Sequence, residues 1–243
     1  MQNQAVILNV MKDLPFNGSR WILEILRQAQ NDEIKGFAKP SSNHYESWKW
    51  TDWLNSHINS IGAVISFNYD LVVEKLFKEF GVKLTPHEMN NESGDIFFTK
   101  PHGSINYEVN SSHVNVPKNQ YPLTIKIAGI DTPNIEIISD DQLHEPRKTS
   151  FLVLPNEYRK KLQWVENAYK HFSLIAQSYS HILFVGLSYW PKDRPEINKI
   201  VKGTSKKSTI IEVNTSPQEG FKEYVTELNR AYEFWKSDPE IRA

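Results

Sequence analysis

Ala63-Val64-Ile65-Ser66-Phe67 runs without a break into Asn68-Tyr69-Asp70, and three later stretches repeat the same event. Ile96-Phe97-Phe98-Thr99 passes through Lys100 and Pro101 to His102. His181-Ile182-Leu183-Phe184-Val185 ends at Gly186 and Ser188, and Thr209-Ile210-Ile211-Glu212-Val213 ends at Asn214. Runs of β-formers without polar alternation suit strands covered on both faces, as in a parallel sheet sandwiched by helices. Helical patterns at residues 71–80, 158–179 and 218–235 supply the covers. In such sheets ligands sit beyond the carboxyl ends of the strands, so the polar residue after each run is expected to face one shared crevice.

Working outward, Trp21, Ile22, Ile25, Leu26 and Ala29 recur at helical spacing over residues 19–30, with Asn17 or Ser19 as a cap. A second helical pattern carries Tyr45, Trp48, Trp50, Trp53, Leu54 and Ile58, whose rings are expected to cover one side of the core rather than dock a partner. Between Gly103 and Phe151 the pattern turns polar and Asn-rich, with short strands expected around residues 123–127 and 135–138. The expected fold is α/β and Rossmann-like, with a largely parallel sheet, helices on both faces and a small inserted lobe. The chain reads as one domain over residues 1–243, with a helical N-terminal part at 1–60 and the lobe at 104–150.

Charge and composition narrow the partners. Lys plus Arg total 28 against 29 for Asp plus Glu, a net charge of −1, so no long-range field draws in a nucleic acid or a membrane surface. Zero cysteines remove disulfides, a thiol nucleophile and thiolate metal sites. His44, His57, His87, His113, His144, His171 and His181 show no paired ligand spacing, and no metal is expected. Residues 1–11 lack a basic lead-in and are broken by Gln2, Asn3, Gln4 and Asn9, so they do not read as a signal peptide. No apolar run approaches the ~20 residues of a membrane span. The expected compartment is the cytoplasm.

The segments Ser66-Phe67-Asn68-Tyr69-Asp70, Lys100-Pro101-His102-Gly103-Ser104-Ile105-Asn106, Val185-Gly186-Leu187-Ser188 and Val213-Asn214 resemble, in order and spacing, the sirtuin-like NAD-consuming domains, especially the bacterial branch tied to antiviral defence. The likeness covers roughly residues 60–235. It implies that Asn68 and Asp70 hold the nicotinamide ribose and carboxamide and that His102 acts beside the ribose. It further implies that Gly186, Ser188 and Asn214 contact the adenosine half of NAD. The family's opening G-A-G-x-S turn has no counterpart in residues 1–60, where only Asn17-Gly18-Ser19 precedes a helical pattern. A single glycine hinders close backbone approach to a pyrophosphate.

The residue types suit the chemistry. Nicotinamide leaves as a neutral base, so the barrier lies in the oxocarbenium-like sugar that remains. A positioned amide or carboxylate shields that cation, and a neutral imidazole, with an unperturbed pKa of about 6.5, accepts a proton from water or a ribose hydroxyl. Asn68 and His102 are the expected catalytic residues; Asp70, Gly186, Ser188 and Asn214 are the expected dinucleotide contacts. Each has a plain structural role as well: Asn68 and Asp70 as caps of the helix at 71–80, His102 as part of a hydrogen-bonded turn, Ser188 and Asn214 as turn residues. Asp193, Arg194 and Glu196 follow the Ser188 turn and could reach a ribose hydroxyl, but they read first as a solvated loop. The expected activity is hydrolysis of NAD to nicotinamide and ADP-ribose by a glycohydrolase. A catalytically inactive nucleotide-binding or regulatory module stays open as the alternative, as does ADP-ribosyl transfer. So does a partner beyond the dinucleotide, either a second copy of the chain or a defence-system protein.

Overall fold

Each apolar run becomes a strand, and all the strands that carry a candidate residue point the same way. The computed structural model describes residues 4–8, 49–86, 96–109, 135–139, 150–152, 163–191 and 193–236. In chain order the elements are β1 (Gln4–Leu8), α1 (Lys49–His57) with a 3-10 turn at Ile58–Ser60, β2 (Ile61–Ser66), α2 (Val72–Glu79), β3 (Leu84–Pro86), β4 (Ile96–Thr99), β5 (Gly103–Val109), β6 (Ile135–Ile137) and β7 (Ser150–Leu152). Then follow α3 (Gln163–Ala176), β8 (His181–Val185), α4 (Arg194–Gly203), β9 (Thr209–Asn214), α5 (Glu219–Glu227) and β10 (Tyr232–Lys236). The expected helix at 19–30 and strand at 123–127 lie outside the described residues.

Among the described residues the main sheet has the order β10-β9-β8-β1-β2-β4-β3, and every pairing in it is parallel. The α/β, Rossmann-like expectation is met. From β1 the chain builds outward through β2 and β4 on one side, then returns to lay β8, β9 and β10 on the other. The order therefore reverses at β1, the topological switch point where such sheets open a crevice. A separate antiparallel sheet, β6-β5-β7, is drawn from residues 103–152.

Successive residues alternate between two cores. Ala63, Ile65, Ile182, Phe184 and Ile210 pack with Phe172 of α3, Ile197, Ile200 and Val201 of α4, and Phe221 and Val225 of α5. Val64, Leu183, Val185, Ile211 and Val213 pack on the opposite face with Trp53 and Leu54 of α1 and Val73, Leu76 and Phe77 of α2. Both faces are dry, so the strands carry no polar alternation. Full burial of one such side chain is worth about 1.5–3 kcal/mol. Trp53 is buried and meets Trp235 of β10 edge-on at 6.2 Å, in the core-covering role expected for the tryptophans.

Two segments correct the expectation. Residues 4–8, assigned to a helical N-terminal part at 1–60, form β1, which pairs with both β2 and β8 at the centre of the sheet. Ala5 to Leu8 is a short all-apolar run, and the flanking Gln and Asn residues disguised it. The helix expected over 218–235 stops at Glu227, and Tyr232–Lys236 is a strand paired with β9. Phe221, Val225, Leu228, Tyr232 and Trp235 keep helical spacing straight through the break. Asn229, at φ 52°, nonetheless turns the chain left-handed, a conformation asparagine tolerates better than most residues.

Arg230, next in the chain, is buried, and burial pulls its pKa down. Its guanidinium donates to the Val201 carbonyl at 2.8 Å, Thr204 Oγ1 at 2.8 Å and the Ser205 carbonyl at 2.5 Å, closing the exposed carbonyl end of α4. Arg230→Ala is expected to lower stability by about 2–3 kcal/mol, read as a drop in the urea midpoint, with Arg230→Lys recovering only part of it. Glu212 lies wholly buried in β9, where Oε2 accepts from the Tyr232 hydroxyl at 2.7 Å and Oε1 from the Gln218 backbone N–H at 2.9 Å. Burial pushes its carboxyl up, and those hydrogen bonds oppose the shift only in part. The folded chain therefore holds this proton to a higher pH than the unfolded chain. Its contribution to stability is full below the ordinary glutamate range and fades as pH rises through the raised value. Urea midpoints measured across that interval should fall with rising pH in the native protein and flatten in Glu212→Gln.

Candidate active site at the carboxyl edge of the sheet

The first motif is a turn whose carbonyls the second motif satisfies. After β2 the Asn68 backbone N–H donates to Ser66 Oγ at 3.3 Å. Asp70 Oδ1 accepts from the Val72 N–H at 3.1 Å, so the carboxylate closes the start of α2, the structural role open to it from its position. The Tyr69 carbonyl accepts from the Ile105 N–H at 2.9 Å and from Ser104 Oγ at 3.2 Å. Lys100 is fully buried, and its ammonium donates to the Asp70 carbonyl and to Ser104 Oγ at 3.0 Å and forms an ion pair with Glu74 Oε1 of α2 at 2.7 Å. Burial pushes the Glu74 carboxyl up while the Lys100 ammonium draws it down.

This junction aims His102. The Gly103 N–H donates to the Lys100 carbonyl at 2.9 Å, and Gly103 sits at φ 82°, where a side chain would be strained. That turn swings the chain from β4 into β5 and leaves His102 at the sheet edge with 7% of its surface exposed. Its ring lies 5.1 Å from Phe67 and 6.5 Å from Tyr69, centroid to centroid, the two aromatics that flank Asn68. Nε2 meets Glu196 Oε2 at 2.8 Å. Nδ1 is buried and has no hydrogen-bond partner among the described residues. An ionised carboxylate only accepts, so Nε2 is the donor of that contact.

The other candidate residues lie at the ends of β8 and β9. Gly186, at φ 65°, donates its N–H to the Val213 carbonyl at 2.9 Å. Asn214 Nδ2 donates to the Leu187 carbonyl at 2.7 Å and Oδ1 accepts from the Thr215 N–H at 2.9 Å, so this side chain braces the turn that carries Ser188. Asn68, Asp70 and His102 thus stand on the β2 and β4 side of β1, and Gly186, Ser188 and Asn214 on the β8 and β9 side. A cavity of about 280 Å³ lined by Glu74, Lys78, Phe98 and Asn106 lies instead between α2 and the small sheet.

Sequence reasoning missed two residues here. Glu196 is no solvated loop: it occupies the first turn of α4, and the His102 contact bridges the two halves. Asp193-Arg194-Pro195-Glu196 carries the signal, since proline at the first helical positions and an acid in the first turn mark a helix start. Lys100 was passed over as a spacer, although a lysine directly after a four-residue buried strand must find acceptors. No helix among the described residues is long and apolar enough to cross a membrane. Lys100→Met would strand the Glu74 carboxylate and is expected to cost about 3 kcal/mol in chemical denaturation, with the Lys100→Met, Glu74→Gln double variant recovering part of the loss.

No curated protein matches the chain. Among solved structures, a Sir2 enzyme shares 14% identity, covering 97% of this chain and 88% of that one at a TM-score of 0.39. A Sir2 homologue mutant in complex with ADP-ribose shares 13%, covering 99% and 89% at 0.45. Sir2 with a p53 peptide and NAD+ shares 10%, covering 98% and 89% at 0.43. The profile described as "SIR2-like domain" matches residues 62–209, which hold the first three motifs and more than half of the sequence, and the chain belongs to that family.

Proposed function

We propose that this SIR2-like domain binds NAD across the carboxyl edge of its parallel sheet and hydrolyses it to nicotinamide and ADP-ribose. Asn68 and His102 act on the reacting bond; Asp70, Gly186, Ser188 and Asn214 contact the dinucleotide. The observation that carries this reading is the state of His102, whose Nε2 faces a carboxylate while Nδ1 is enclosed without a partner. An unmet buried polar atom costs about 1–3 kcal/mol, and a ribose hydroxyl or the attacking water would meet it. Family membership and the reversal of strand order at β1 support the same placement.

The chemistry divides simply. The bond from the ribose to the pyridinium nitrogen breaks with its electron pair going to nicotinamide, which leaves neutral. The Asn68 amide dipole shields the oxocarbenium-like centre. Water forms the new C–O bond and passes its proton to Nδ1 of His102, and from there to solvent. Asp70, with one oxygen engaged at the start of α2, presents a carboxylate held at a fixed height for the carboxamide end. In this reading residues 1–243 work as one cytoplasmic domain, with 104–150 as its inserted lobe. Its NAD consumption serves antiviral defence, together with a second copy of the chain or a defence-system protein.

A second reading, a nucleotide-binding regulatory module without turnover, is favoured by one feature: residues 1–60 carry no G-A-G-x-S turn, only Asn17-Gly18-Ser19. Incubation with NAD separates the two. Nicotinamide release is expected from the native protein and should fall at least about 100-fold in His102→Ala, while calorimetric binding of ADP-ribose persists in both. Binding without release would support the module instead, and no binding of NAD or ADP-ribose would reject both readings.

A further inference from the structure

We propose that Glu196 is a positioning residue for His102, a carboxylate that selects the imidazole tautomer and clasps the two halves of the crevice together. The inference rests on the reading of His102 as the base. Glu196 enters from α4, beyond β8, and His102 from the turn after β4, so their 2.8 Å contact crosses the edge of β1 and β2. The helix itself favours a negative charge there, since Glu196 sits in the first turn of α4, where backbone amides point outward. Ile197, Ile200 and Val201 hold α4 in the core, so the carboxylate is presented from a rigid support.

The surroundings mark Glu196 as turned toward the site rather than toward water. Its side chain keeps 36% exposure, yet the groups that face it are enclosed: the His102 ring and the Tyr69 and Tyr169 hydroxyls. Burial first and the Glu196 charge second push both hydroxyls up, so they stay protonated. An ionised carboxylate can only accept, so the 2.8 Å contact puts a hydrogen on Nε2. That donor assignment makes Nδ1 the basic nitrogen. A carboxylate on one ring nitrogen fixes which of the two accepts the proton, the division of labour seen wherever an imidazole base is paired with an orienting acid. Without Glu196 the ring is free to flip or to carry its proton on the wrong nitrogen.

Two readouts test this, and only one needs turnover. Ring nitrogen-15 shifts of His102 should report the Nε2–H tautomer in the native protein, retention of it in Glu196→Gln, whose amide oxygen accepts the same hydrogen, and its loss in Glu196→Ala. In NAD hydrolysis, Glu196→Ala should lower kcat about tenfold or more with KM within about twofold, and Glu196→Gln should restore much of kcat. Thermal midpoints check that all three chains fold. An unchanged tautomer in Glu196→Ala, or equal loss of kcat in both variants, would overturn the proposal. If the native protein releases no nicotinamide, the hydrolase reading fails by itself, and the tautomer comparison still decides whether Glu196 orients the ring.

Discussion

A single ammonium group joins the parts that must stay in register. Lys100, with no exposed surface, needs polar partners around its ammonium, and it finds them on three elements: the Asp70 carbonyl after β2, Glu74 of α2 and Ser104 of β5. Each acceptor is thereby fixed relative to the end of β4. His102 lies two residues further on, behind the turn closed by Gly103. Replacing such a junction with hydrocarbon is tolerable for a core in general. Here it would loosen the hold that sets the Asn68 turn against the histidine.

The parallel sheet explains why residues far apart in the chain share an edge. Strands buried on both faces must run apolar from end to end, so polar chemistry is displaced to where each strand stops. All the stops of a parallel sheet lie on one side, and the order reverses at β1, where such sheets generally place a ligand. The two flanks of β1 are stiffened differently. On the β8 and β9 side, Gly186 and Asn214 are committed to turn hydrogen bonds, so they shape the backbone more than they offer side-chain atoms. On the β2 and β4 side, the backbone is satisfied by Lys100, Ser104 and Ile105, and Nδ1 of His102 is buried without a hydrogen-bond partner among the described residues. Glu196 links the flanks.

Much of this was legible in the residues, and the gaps have physical causes. The four apolar runs and their polar ends were readable because burial on both faces leaves a one-dimensional trace. β1 was not, since a short apolar run at the centre of a sheet looks the same as one anywhere else. β10 was hidden because Leu228, Tyr232 and Trp235 satisfy a helical period while the single left-handed Asn229 breaks it. Glu196 was read as solvated because an acid near Asp193 and Arg194 carries no sign of a partner some ninety positions earlier.

The amino-acid order by itself determined the α/β class, the strands that end in Asn68, His102, Gly186 and Asn214, and the chemical types available at their ends. Those properties are local, governed by hydration and by hydrogen bonding of neighbouring backbone. Only the tertiary structure decided that β1 separates the two groups, that Lys100 ties three elements together and that Glu196 reaches His102. These are distances between points remote along the chain, and the energy of an ion pair or hydrogen bond depends on separation in space and on the surrounding dielectric, neither of which a linear string encodes.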